Sequence, residues 1–159
     1  LPKFLPLLFL LLVATSCEGP NETVNPPPPI TNEQEGILVG QNPFHYSFFE
    51  LDVKYHGIDD KLLAQYRFIE DEVFAKYSDH DENVDLDGEE AFQLLKPKLT
   101  ALSLTKETSA NQLMTRLFEQ FPIRNDFRLV EVKVRFMDGE EKVFKRFHDE
   151  AQELYSKVK

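Results

Sequence analysis

The stretch Phe49-Glu50-Leu51-Asp52-Val53-Lys54-Tyr55 decides the fold. Apolar and charged residues alternate through it, so Phe49, Leu51, Val53 and Tyr55 share one face and Glu50, Asp52 and Lys54 the other, the pattern of a strand buried on one side only. Downstream, His56-Gly57-Ile58-Asp59-Asp60 carries turn chemistry, and Leu62, Ala64, Tyr66 and Phe68 resume the two-residue period, which predicts a β-hairpin. The alternation returns at Val130, Val132, Val134 and Phe136. There Asp138-Gly139 supplies a hairpin turn before a return strand from Val143 to Phe147. Shorter runs at Val73 to Tyr77 and Val84 to Leu86 read as further strands.

Between the two hairpins the spacing becomes helical. Ala91, Leu94, Leu95, Leu99 and Leu102 fall on one stripe behind Asp87-Gly88-Glu89-Glu90, in which Asp87 serves as N-cap and Glu90 closes a capping box. Pro97 lies inside this stretch and predicts a kink or a restart near Lys96, because it removes one backbone donor and crowds the preceding turn. A second helix starts at a Ser109/Gln112 cap, carries Leu113, Leu117, Phe118 and Phe121 along one face, and stops before Pro122. The predicted architecture is α+β, an antiparallel sheet of two hairpins packed against a pair of central helices. The domain is placed at residues 44–159, and its tail from His148 onward, with Ala151, Leu154, Tyr155 and Val158, adds a short amphipathic helix.

Working outward to the N-terminus, Lys3 precedes an almost unbroken apolar run from Phe4 to Val13, the short core of a secretory signal. It is too short to span a bilayer, which takes about 20 apolar residues. Val13-Ala14-Thr15-Ser16-Cys17 resembles the lipobox of bacterial lipoproteins, with Ala14 where leucine is usual. Residues 1–16 are therefore expected to be a signal peptide and Cys17 the lipidated residue, since a thiolate is the nucleophile that can form a stable thioether. At about 0.8 kcal/mol per buried methylene, two acyl chains of some fifteen carbons contribute on the order of 20 kcal/mol and hold a protein to the membrane. From Cys17 to residue 43 the chain shows no hydrophobic period and contains Pro26-Pro27-Pro28-Pro29, the composition of an extended tether.

Fourteen Phe and five Tyr supply a core for one domain, and a single cysteine leaves no intramolecular disulfide to support it. The net charge of −10, with Lys and Arg interleaved among acids, excludes nucleic acid as a partner, because phosphate backbones need a basic stripe. The sharpest candidate ligand set is Asp79, Asp81, Asn83, Asp85, Asp87 and Glu90, whose oxygen donors follow the spacing of an EF-hand calcium loop. Val84 stands where that loop demands glycine, and the same residues also read as an edge strand followed by a helix cap. His45, His56, His80 and His148 are too dispersed for a zinc site, and no serine sits in a nucleophile elbow. No cofactor and no catalysis are expected.

The Phe49 to Tyr55 strand, the Leu86-Asp87-Gly88-Glu89-Glu90-Ala91 helix start, Leu95-Lys96-Pro97-Lys98-Leu99 and the hairpin from Val130 to Gly139 together resemble the YusW-like lipoproteins of Bacillus-type bacteria. The resemblance covers residues 45 to 147 and implies the α+β fold and the envelope location, with no chemistry attached. The expected function is a membrane-anchored extracytoplasmic lipoprotein acting as a noncatalytic binding module for an envelope protein or peptide. Calcium binding through residues 79–90 is the alternative.

Overall fold

The alternation that begins near Phe49 occupies the middle of the sheet. The computed structural model describes residues 36–57 and 61–148, all within one unit that spans residues 31–159. Its strands are β1 (Ile37–Leu38), β2 (Tyr46–Lys54), β3 (Lys61–Ile69), β4 (Glu72–Asp79), β5 (Val84–Asp87), β6 (Leu129–Phe136) and β7 (Glu141–Phe147). Helices α1 (Gly88–Leu102) and α2 (Ala110–Gln120) lie between β5 and β6 in the chain. The spatial order is β1-β4-β3-β2-β6-β7, with β5 also on β4, and every pairing is antiparallel. The α+β class is as expected, but the sheet is broader than two hairpins.

Register makes the two faces unequal. Leu51 sits opposite Ala64 on β3 and Val132 on β6, and its neighbours Phe49, Val53, Leu62, Tyr66, Val73, Ala75, Val130 and Val134 are buried with it. These residues form one core with Ala91, Leu95, Leu99 and Leu102 of α1 and Leu113 and Leu117 of α2. The helices thus cover one face of the sheet, and the opposite face carries the charged residues of each alternating strand.

Three local expectations are revised. First, the folded region begins before residue 44: Ile37 and Leu38 pair with Val73 and Glu72, and Ile37 and Val39 pack on the core. A two-residue strand is too short to show a period. Second, α1 runs through Pro97 without a break, and both Gln93 and Pro97 lie on its exposed side. The carbonyl that loses its partner there faces water, which limits the cost. Third, the Asp87 side chain makes no cap hydrogen bond; it turns back to Lys76 on β4, 3.6 Å away. In α2 the Ser109/Gln112 capping box forms as expected, with the Ser109 hydroxyl accepting from Gln112 N and the Gln112 side chain accepting from Ser109 N.

The helix pair is also capped from one member to the other. Arg116 of α2 donates to the Leu102 carbonyl at the end of α1 (2.7 Å), and Lys98 of α1 donates to the Gln120 carbonyl at the end of α2 (2.7 Å). Neither helix has a basic residue in its own last turn, so each obtains from the other the cation that its C-terminal carbonyls favour.

Candidate functional site

The six candidate calcium ligands are dispersed by the β4–β5 hairpin. Asp79 closes β4, is buried, and accepts from Asp81 N (3.1 Å) and Glu82 N (3.4 Å), so its carboxylate is used to fold the turn. The turn continues through Asn83 in the left-handed region, φ 53°, and Val84 then pairs with Asp79 as the first residue of β5. Asp81 pairs with Arg124 at 3.0 Å. Asp85 and Asp87 point to the other face of the sheet, where both meet Lys76 at 3.6 Å, and Glu90 is exposed on α1. The segment is strand–turn–strand instead of helix–loop–helix, and among the described residues no three His, Cys, Asp or Glu side chains converge. Period two of the strands explains it: residues two apart share a face, but the turn and the helix start rotate the rest away. Cys17 lies outside the described residues, as does the tail from 149 to 159 for which a helix was expected.

Turn 80–83 is held from the side by a group that sequence reading missed. The Arg124 guanidinium lies 4.0 Å from the centre of the Tyr55 ring, pairs with Asp81 and Asp126, and its backbone N–H donates to the Tyr55 hydroxyl (3.2 Å). Burial, and next to it the Asp79 carboxylate, push the neighbouring Tyr77 hydroxyl up to about 12. This is a structural clamp between the β4–β5 turn and the loop after α2, in which one guanidinium serves two carboxylates and a ring.

The described residues do form a cleft of about 540 Å³ between α2 and the end of β7. Its wall is aromatic: Phe118 and Phe127 have ring centres 5.4 Å apart, and His148 meets Phe127 edge-on at 5.5 Å. The Arg146 guanidinium lies over the Phe118 ring at 5.3 Å, with Thr115 and Glu119 also lining the cleft. The volume is in the range of small-molecule and side-chain sites, and the mixture of apolar wall with a few polar groups suits binding. Of the four histidines only His148 is in this cleft; His45, His56 and His80 are exposed in turns. The sequence showed Phe118 as a helix-face residue and His148 as an isolated one. Only the chain reversal between α2 and β6 brings them together.

On the uncovered face of the sheet, β2, β6 and β7 carry an ion-pair ladder. Lys133 bridges Glu50 (2.9 Å) and Glu131 (3.2 Å), Lys145 joins Glu131 (2.6 Å), and Gln65 donates to Glu50 (2.8 Å). Glu50 is only 8% exposed, so its two donors satisfy a carboxylate largely removed from water. The alternation read from residues 49–55 and 130–136 therefore has charged partners built into its outer face.

The profile of the YusW-like protein family matches residues 47–138, from β2 to the turn before β7 and well over half of the chain. The chain belongs to the YusW-like protein family. No curated protein and no solved structure matches it. The YusW-like region contains the core strands, both helices, the Arg124 clamp and the Phe118–Phe127 wall. Strand β7 with Arg146, and His148 just after it, follow the matched region.

Proposed function

We propose that this YusW-like protein is a lipid-anchored extracytoplasmic lipoprotein whose domain acts as a noncatalytic binding module for an envelope protein or peptide. The observation that carries the reading is the apolar run from Phe4 to Val13 ending in small residues at Cys17, followed by a polar, proline-rich stretch. No described helix is long and apolar enough to cross a membrane, and a lipid on Cys17 would supply the attachment. The α2–β7 cleft supports the binding part: its aromatic wall and its guanidinium offer contact area and orientation, the means by which such clefts recognise a side chain.

Two experiments test it together. With Cys17→Ser the protein should leave the membrane fraction, since a signal core without lipid has no two-chain anchor. A photo-crosslinking residue at exposed Thr115 on the cleft rim, in intact cells, should give a discrete adduct that the same residue at exposed Gln93 on α1 does not. Retention of Cys17→Ser in the membrane would remove the anchoring claim, and equal labelling from the two positions would remove the cleft as the binding place.

A further inference from the structure

Among the described residues the outer side of β7 has no strand beside it, whereas the outer side of β4, at the other end of the sheet, is taken by β1 and β5. Strand β7 keeps unbroken register with β6 from Leu129 opposite Phe147 to Arg135 opposite Glu141, with no bulge and no proline. Open edges of this kind are templates for pairing. The backbone directions follow from two bonds: His148 N donates to Arg128 O and Phe136 N to Glu140 O. Even-numbered residues of β7 therefore turn their backbone groups toward β6, and Glu141, Val143 and Lys145 turn theirs outward.

We propose that this edge pairs antiparallel with the same edge of a second copy, about a two-fold axis at Val143. In that register Val143 faces its twin, Glu141 faces the partner's Lys145, Glu140 faces the partner's Arg146, and Lys142 lies beside the ring of the partner's Phe144. The outward groups of residues 141, 143 and 145 meet those of residues 145, 143 and 141, giving about six backbone hydrogen bonds. Charge selects this register over its neighbours. An axis at Glu141, Lys142, Lys145 or Arg146 sets a charge against itself, and an axis at Phe144 sets Lys142 against the partner's Arg146, all unfavourable. The ladder on the uncovered face then continues across the axis, from Glu131 and Lys145 to the partner's Glu141 and the Arg135 it pairs with. Val143, an apolar side chain 54% exposed and flanked on its face by Glu141 and Lys145, is covered by its twin. The interface is isologous and closed, so pairing stops at two copies.

The test uses the full chain in detergent with Cys17→Ser, so that an introduced thiol is the only one. Val143→Cys should oxidise to a covalent dimer much faster than Leu38→Cys, a residue 77% exposed at the far edge, because facing α-carbons in a hydrogen-bonded pair are about 5.5 Å apart, within disulfide reach. Mixing Glu141→Cys with Lys145→Cys should give the mixed dimer, and neither should couple to itself at that rate. Sedimentation equilibrium should show twice the chain mass for the Cys17→Ser protein and a monomer for Val143→Lys, which places like charges on the axis. A monomer at every concentration overturns the proposal. So do equal oxidation at positions 38 and 143, mixed dimers in another register, or an edge that takes up an extended acidic peptide while the chain stays monomeric. If Val143→Lys lowers the melting temperature, the two cysteine crosslinks, judged against the Leu38→Cys control, decide the matter, since they report contact in a protein whose fold circular dichroism can verify for each variant.

Discussion

Tyr46 and Tyr66 are both buried in the core, and their hydroxyls have opposite roles. Tyr66 donates to Asn42 Oδ1 at 2.7 Å, the same oxygen accepts from Phe44 N, and Asn42 Nδ2 donates to the Tyr46 carbonyl. Asn42 thus latches the segment before β2 onto the core. The Tyr46 hydroxyl is buried with no hydrogen-bond partner among the described residues, and burial pushes its pKa well above the ordinary tyrosine value. Removing a satisfied hydroxyl costs about 0.5–1.5 kcal/mol, whereas removing an unsatisfied one is neutral or stabilising. In urea unfolding Tyr66→Phe should therefore lower the midpoint and Tyr46→Phe should hold or raise it; the reverse order would show that the Asn42 latch is not formed. Glu131 provides a pH signature. Its removal from water raises its carboxyl, but Lys145 and Lys133 outweigh that and hold it below its ordinary 4.5. A carboxyl held low in the folded state adds stability that is complete above its unfolded value and is lost as pH falls through the folded one. Stability should thus decline on acidification from that value downward, and Glu131→Gln should make the decline shallower. An unchanged acid limb in the variant would mean that the ladder contributes nothing.

At the scale of elements, local signals were legible where a cap or a turn lies within a few residues. The Ser109/Gln112 box was read from the sequence and forms, so Ser109→Ala should cost about 1 kcal/mol in thermal or urea unfolding. Pro97 interrupts the donor ladder of α1 on its wet side, and Pro97→Ala should stabilise the domain by about 1–3 kcal/mol; a loss instead would mean that the proline shapes the helix for packing. What stayed illegible depends on distant partners. The β3–β4 turn places Glu70 and Asp71 at φ 50° and 67°, the left-handed pair that a two-residue hairpin demands, without the Gly or Asn that usually announces it. The two-residue β1 has no period to detect, and the Arg116 and Lys98 caps act between helices. Asp87 had the chemistry of an N-cap, yet Lys76 on the neighbouring strand draws its carboxylate away. For the candidate site, donor spacing could suggest a calcium loop, but strand geometry alone decided which donors share a face. The cleft residues Phe118, Phe127, Arg146 and His148 had no common signal, because they meet only through the reversal after α2.

As a whole molecule, the protein combines an acidic sequence, a sheet covered by helices on one face, and an N-terminal segment with the composition of signal, lipid site and tether. In the proposed arrangement, Cys17 sets where the domain resides and the β7 edge and the α2–β7 cleft set what it meets there; the first of these carries the others into the envelope. The most direct measurement is the intact mass and N-terminal peptide of protein isolated from its own membranes. A chain beginning at Cys17 and carrying a diacylglyceryl group is the predicted result; an unmodified Cys17 thiol, or a chain that retains the Phe4 to Val13 run, would contradict it.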